Sequence, residues 1–455
     1  MKPVIVLVGR PNVGKSTLFN RLTRARDALV ADIPGVTRDR QYGEGRRGDR
    51  PYLLVDTGGV VEDLDVGNQR TSSIEAHMRE QTRQAIEEGD TIIFIVDGRE
   101  GLTPADRELA NFLRRSGKPI VIAVNKAEGM EASTITAEFH ALGLGEPVAV
   151  SAQHGDGVDD LIAEVLRDMP RAEEVEVSAD IPRIAIAGRP NVGKSTLVNA
   201  MLGEPRVVVF DEPGTTRDSI RIPLERRGKA YVLIDTAGVR RRKHVRETIE
   251  KFSIIKTLQA IDEANVVILV VDAADGLSEQ DVHLAGYVLE KGRSLVVALN
   301  KSDRLDRERR AWAEREMQRR FGFLSFARMH FISALHGTGV GALFSSVDQA
   351  FDSAKKTLPT SRLNNMLQRA VQASPPPMVH GRRIKPKFAH QGGRNPPTVV
   401  VHGSQVDRLP ESYRRYLANC VRKEFRLEGT PIRIECRAGA NPYAERRESR
   451  RGRRG

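Results

Sequence analysis

The apolar positions of this 455-residue chain fall into short runs separated by stretches of helical period, and the arrangement occurs twice. The first set of runs lies at 4–8, 52–55, 91–96, 119–124 and 147–150, with helical patterns near 15–24, 74–88, 104–115 and 157–167. The second set lies at 184–187, 230–234, 265–271, 294–299 and 328–332. Short, continuous apolar runs alternating with helices predict strands buried on both faces, hence parallel sheets with right-handed crossovers. The more polar stretches 40–47 and 219–226 predict one antiparallel edge strand in each copy. The fold class is therefore α/β, with tandem domains over 1–169 and 181–356 and an acidic, aperiodic linker at 170–180.

Beyond 356 the pattern changes. A helix at 361–373 is followed by a triple-proline break at 375–377. Strands at 384–390 and 397–402, a helix at 410–426 and a strand at 431–437 complete an αββαβ unit. This predicts a small α+β domain over 357–440. The tail, 441–455, is rich in arginine and has almost nothing to bury, so it is expected to be disordered.

Composition sharpens this picture in two places. The net charge is +12, yet residues 357–455 carry 21 Lys/Arg against 7 Asp/Glu, so the last fifth holds an excess of +14 and the rest is −2. An asymmetry of that size points to a polyanionic partner for the C-terminal part. The only cysteines are Cys420 and Cys436, expected on a helix and a strand as reduced thiols of a cytoplasmic protein. No apolar run approaches a membrane span, and the N-terminus enters a strand at once, so neither a membrane partner nor a signal peptide is expected.

The chemistry sits where strand meets helix. Residues 9–18 and 188–197 both read Gly-Arg-Pro-Asn-Val-Gly-Lys-Ser-Thr-Leu. Each copy follows a strand run, and a helical pattern follows each, with Leu18, Phe19 and Leu22 or Leu197, Val198 and Met201 on one face. Such a loop turns backbone N–H groups inward on a phosphate, and the helix adds the positive end of its dipole. The first copy supplies Gly9, Asn12, Val13, Gly14, Lys15, Ser16 and Thr17; the second supplies Gly188, Asn191, Val192, Gly193, Lys194, Ser195 and Thr196. Lys15 and Lys194 are placed for β/γ-phosphates, and Ser16 and Ser195 for Mg²⁺.

Further pairs keep the same 179-residue spacing as Lys15 and Lys194: Thr37 with Thr216, and Asp56 with Asp235. The two aspartates open Asp-Thr-Gly-Gly59 and Asp-Thr-Ala-Gly238, where carboxylate can hold Mg²⁺ through water and Gly59 or Gly238 can meet the γ-phosphate. Thr37 and Thr216 can complete the metal shell. Later, Asn125-Lys126-Ala-Glu128 and Asn300-Lys301-Ser-Asp303 each end a strand run. A carboxylate there accepts guanine N1–H and its 2-amino group, a donor pair that adenine lacks, so the contact selects GTP over ATP. Ser151-Ala152 and Ser333-Ala334 are placed for the guanine oxygen.

With these five elements in order, twice, the chain resembles the EngA/Der family of tandem-domain ribosome biogenesis GTPases, among the Era-like GTPases. The resemblance spans essentially all of the chain. It implies two P-loop GTPase domains and a C-terminal KH-like domain. The implied activity is hydrolysis of GTP to GDP with Mg²⁺, with Lys15, Thr37, Lys194 and Thr216 as catalytic residues. It further implies a monomeric switch in maturation of the large ribosomal subunit. Two other classes stay open from the residues alone, a GTPase component of a tRNA-modification system and a small-molecule kinase.

Three features depart from the commonest pattern. Glu128 stands where Asp is usual, so the second site is expected to discriminate GTP from ATP more sharply. Val60 and Val239 stand where Ras-like proteins carry a water-orienting glutamine. Relatives with such apolar residues often use K⁺ held by a loop asparagine, which implies K⁺ at Asn12 and Asn191. Lastly, Gly392-Gly-Arg-Asn395 lies between strands, reads as a hairpin turn, and is not the G-x-x-G clamp between helices that RNA-binding KH domains use. A basic run, Arg240-Arg-Arg-Lys-His244, follows Gly238, and the first copy has the acidic Glu62-Asp-Leu-Asp65 at the corresponding place in its sequence.

Overall fold

The computed structural model describes residues 2–23, 30–31, 41–57, 82–83, 85–169, 180–203, 207–209, 220–235, 254–379 and 382–438. The chain divides into two compact bodies, one on residues 1–177 with 253–259 and one on 178–252 with 260–455.

The first body runs β1 (Val4–Gly9), α1 (Lys15–Thr23), β2 (Val30–Ala31), β3 (Gln41–Gly45), β4 (Tyr52–Asp56), β5 (Thr91–Asp97), α2 (Pro104–Arg114), β6 (Ile120–Asn125), α3 (Ala132–Thr136), β7 (Val148–Ala149) and α4 (Val158–Arg167). They form one seven-stranded sheet in the order β2-β3-β4-β1-β5-β6-β7. β4, β1, β5, β6 and β7 are parallel neighbours, whereas β3 is antiparallel to both β4 and β2. Every residue of β1, β4 and β5 is buried, as a sheet covered on both faces requires. Ile5, Leu7, Ile93 and Ile95 pack with Leu18 and Phe19 of α1 and Leu161 and Ile162 of α4.

The second body repeats the plan with β8 (Arg183–Ala187), α5 (Lys194–Leu202), β9 (Val207–Val209), β10 (Ile220–Arg226), β11 (Lys229–Asp235), the end of α6 (Ile254–Glu263, whose residues up to 259 group with the first body), β12 (Val266–Asp272), α7 (Glu279–Glu290), β13 (Ser294–Asn300), α8 (Arg307–Arg320), β14 (Arg328–Phe331) and α9 (Val340–Lys355). Its sheet order, β14-β13-β12-β8-β11-β10-β9, is the same topology read from the other end. α2 and α7 start alike, each with a hydroxyl N-cap (Thr103, Ser278) and a reciprocal carboxylate three residues on (Asp106, Asp281). Each such box satisfies backbone N–H groups that a bare helix start would strand.

The expected strand runs are all found, with ends shifted by a residue or two. One expectation is corrected. The stretches 40–47 and 219–226 do form antiparallel strands, β3 and β10, but neither is an edge, because β2 and β9 pair outside them. Strands of two and three residues are too short to show alternation in a sequence. The helical pattern 74–88 lies largely outside the described residues, apart from helical positions at 82–83 and 85–88.

The C-terminal unit belongs to the second body: α10 (Thr360–Ala373), a two-stranded pair β15 (Met378–Val379) and β16 (Arg382–Arg383), β17 (Lys385–Gly393), β18 (Thr398–Ser404), α11 (Glu411–Phe425) and β19 (Arg433–Ala438). β17 is antiparallel and β19 parallel to β18, which lies between them. The αββαβ reading holds, with β15–β16 added. Gly392 and Gly393 end β17 and the turn covers 394–397, two residues later than the expected hairpin turn. α10 turns Leu363, Met366, Leu367 and Ala370 inward, and α11 turns Tyr413, Leu417, Val421 and Phe425, onto Ala389, Val399 and Val401 of the sheet. Both cysteines are free.

This unit docks on the second α/β sheet through Gly429. Its carbonyl accepts from Leu295 N at 2.7 Å, and its N–H donates to Phe326 O at 2.8 Å. The residue has φ +69, and a Cβ added there would lie 2.4 Å from Ala350 Cβ, so backbone and space both demand glycine. Around it, Arg328 pairs with Glu428 at 2.6 Å, and Arg433 donates to Glu290 O at 2.6 Å.

Candidate functional site

Both identical decapeptides form the turn between a sheet's central strand and the following helix, β1 to α1 and β8 to α5. The loop is anchored by Val13 and Val192, which are buried in the two cores. Asn12 (φ 62) and Asn191 (φ 63) take the left-handed conformation that short polar side chains tolerate. Gly14 and Gly193 are needed for a more specific reason. A Cβ at Gly14 would fall 2.2 Å from Asn125 Nδ2, and one at Gly193 2.3 Å from Asn300 Nδ2.

Those asparagines tie the site together. Asn125 Nδ2 donates to Val13 O at 2.7 Å, and its Oδ1 accepts from Ala152 N at 2.9 Å. Asn300 repeats both contacts, to Val192 O at 2.7 Å and from Ala334 N at 2.9 Å. One buried amide thus fixes the phosphate-type loop, the end of β6 or β13, and the Ser-Ala turn at a set spacing. Both of its polar ends are satisfied, which makes the staple rigid.

Lys15 is buried and donates to Gly9 O at 3.0 Å and Arg10 O at 2.7 Å, while Lys194 donates to Arg189 O at 2.8 Å. Ser16 Oγ donates to Asp56 Oδ2 at 3.0 Å, bringing two hard oxygen ligands together at the start of α1. Such a pair fits a small divalent cation that takes its other ligands from phosphate and water. Thr17, Ser195 and Thr196 lie in the first turns of α1 and α5. Asp235 ends β11, as Asp56 ends β4. Thr37, Gly59, Val60, Thr216, Gly238, Val239 and the run 240–244 lie outside the described residues, as do the tail 441–455 and the linker except Asp180.

Just past the ends of β6 and β13, Lys126 (φ 66) and Lys301 (φ 62) pair with Asp97 and Asp272, both at 2.5 Å. Burial pushes these carboxyls up, but the ammonium partners and backbone N–H donors outweigh it and hold both below the ordinary value. Glu128 Oε2 accepts from Ser151 Oγ at 2.9 Å and Oε1 from Arg99 at 2.7 Å. Its own backbone N–H and the Ser151 hydroxyl lower its pKa. The hydroxyl of Ser333 does the same for Asp303.

Several participants carry no motif signal. Arg10, inside the loop, donates to Asp106 Oδ1 at 2.7 Å and pairs with Glu100 at 3.1 Å; Arg189 reaches Asp281 and Asp275, each at 3.5 Å. The capping carboxylates Asp106 and Asp281 therefore also hold the loops against α2 and α7. Arg21 of α1 donates to Ala152 O and Gln153 O, bracing the first Ser-Ala turn. Asp97 and Asp272 share the 175-residue spacing of Lys126 and Lys301, the one trace of them in the sequence.

A family model described as "50S ribosome-binding GTPase" matches residues 4–126 and 183–301, and one described as "KH-domain-like of EngA bacterial GTPase enzymes, C-terminal" matches 357–437. The chain is similar to proteins named GTPase Der. Identity to that of Nitrosospira multiformis is 59% over 98% of this chain and 94% of the relative, and to that of Azoarcus sp. 58% over 98% and 99%. Among solved structures it is similar to a variant of Aquifex aeolicus Era bound to GDP and aluminium fluoride, at TM-score 0.32 and 26% identity over 47% of this chain and 75% of that one.

Proposed function

This chain belongs to the family of the bacterial GTPase Der, and from that premise we propose that it is a two-site GTP switch acting in assembly of the large ribosomal subunit. It is a GTPase with tandem GTP-binding domains. The working units of the proposal are G domains over 1–169 and 181–356, a KH-like domain over 357–440, and the linker and basic tail flanking them. The observation that carries it is the Asn125 and Asn300 staple, which sets a phosphate loop and a guanine-reading turn at one distance in each copy. The family description "50S ribosome-binding" supports the large subunit as partner.

In the proposed mechanism, the N–H groups of residues 12–17 and 191–196 face the β/γ-phosphates. Lys15 and Lys194 exchange their loop carbonyls for phosphate oxygens, so a buried ammonium already desolvated by folding meets the charge that grows on hydrolysis. Ser16, Thr37 and Asp56, and Ser195, Thr216 and Asp235, would hold Mg²⁺, whose chemistry is to neutralise the β- and γ-oxygens. Glu128 and Asp303 accept guanine's donor pair, with Lys126 and Lys301 against the base and Ala152 and Ala334 at its oxygen. Gly59 and Gly238 would sense the γ-phosphate. Val60 and Val239 cannot orient water, and Asn12 and Asn191 would hold K⁺, whose positive charge would offset the charge that grows on hydrolysis. Equal turnover in sodium and potassium buffers would remove the ion from this scheme.

The acceptor of the switch is ribosomal RNA, through phosphate contacts of the basic C-terminal part, in a cytoplasmic monomer. Among the described residues no helix is long and apolar enough to cross a membrane. Co-sedimentation of the full chain with ribosomal subunits is the test. The large subunit should retain it with a non-hydrolysable GTP analogue, release it with GDP, and lose it steeply as salt rises. Retention that ignores the nucleotide would overturn the switch.

A further inference from the structure

Glu128 presents a problem that Asp303 does not. Its side chain has one more methylene, hence one more torsion to freeze before both oxygens can face a base. In the second copy the shorter carboxylate accepts a hydrogen bond from Ser333 and residue 274, at the position of Arg99, is alanine. In the first copy Arg99 takes a distinctive position. Its Nε donates to Lys126 O at 3.3 Å, and a terminal nitrogen donates to Glu128 Oε1 at 2.7 Å. One guanidinium thus grips both the backbone and the carboxylate of the same turn.

A carboxylate offers about four lone-pair sites. Ser151 occupies one on Oε2 and Arg99 one on Oε1. The backbone N–H of Glu128 holds the carboxylate as well, so three donors set its orientation and room is left for a donor from a base. We propose that Arg99 is a specificity-determining residue of the first nucleotide site, holding Glu128 so that its longer carboxylate reads guanine as Asp303 does. Arg99 acts through Glu128 and touches no reacting atom, so it is a positioning residue. The inference rests on Glu128 reading the base, as proposed above.

The test compares GTP with inosine triphosphate, which keeps the N1–H but lacks the 2-amino group. Binding is measured on the full chain carrying Lys194→Ala to silence the second site. Arg99→Ala should weaken GTP by about two- to fivefold, the size of an exposed charge pair, and inosine triphosphate less, so the ratio of the two affinities falls. Arg99→Lys should recover part of that ratio. In a Glu128→Asp background, Arg99→Ala should change nothing, because the shorter carboxylate needs only Ser151. An unchanged ratio, an equal loss for both nucleotides, or the same loss in the Glu128→Asp background would each overturn the role of Arg99. Glu128→Ala separates the two readings: a ratio unmoved by that change would refute base reading itself.

Discussion

Asp106 and Asp281 show how much one buried carboxylate can carry. Asp106 accepts from Thr103 N, Thr103 Oγ1 and Arg10 Nε, and it is fully buried. Removing it breaks the reciprocal half of the capping box, so Thr103 N loses its acceptor, and leaves the loop arginine without its principal partner. Asp106→Ala should cost about 1–2 kcal/mol through the cap alone, read as a lower melting temperature. With Lys194→Ala present, GTP binding at the first site should weaken, because the loop loses its anchor. Asp281 is further from its arginine and burial raises its pKa, so Asp281→Ala should loosen the second loop less. The sequence shows the letters of the two loops, those of 125–128 and 300–303, and their order. It does not show that Asn125 doubles as a staple, or that Arg10 and Asp106 meet, because 96 residues separate that pair and nothing local links them.

At the scale of elements, the strands were legible because a sheet buried on both faces leaves continuous apolar runs, as in β5 and β12. The two outermost strands were not, since Val30–Ala31 and Val207–Val209 carry no period. β14 ends close to the second Ser-Ala turn and holds a titratable group that bears on stability. His330 hydrogen-bonds Ser346 Oγ at 2.7 Å, and burial, then the charge of Arg328, lower its pKa below 6.5. The unfolded chain therefore binds this proton more readily than the folded one. Its contribution is complete above the unfolded value and declines as pH falls from there to the lowered folded value. Melting temperatures of wild type and His330→Gln, at about pH 7.5 and about pH 5.5, check the sign, and the advantage of wild type should shrink at the lower pH.

At the scale of the whole molecule, the charge asymmetry and the change of period near 356 revealed a separate C-terminal unit, but not where it docks. Docking is a matter of surface fit, and the deciding residue is a glycine with no motif around it. Gly429→Ala places a methyl 2.4 Å from Ala350 Cβ at φ +69. The strain should cost about 1–3 kcal/mol, visible as faster amide exchange at Leu295, while the first body is unaffected. The same contact has a consequence in time. Leu295 and Gly429 are far apart in the chain, and translation delivers them in order. All seven strands of the first sheet have been made once α4 has emerged. The second must wait, with Leu295 N–H unpaired and the surface around Ala350 bare, until Gly429 arrives. A ribosome stalled between Leu295 and Gly429 would thus display a first sheet with all its strands and a second still lacking its docking partner.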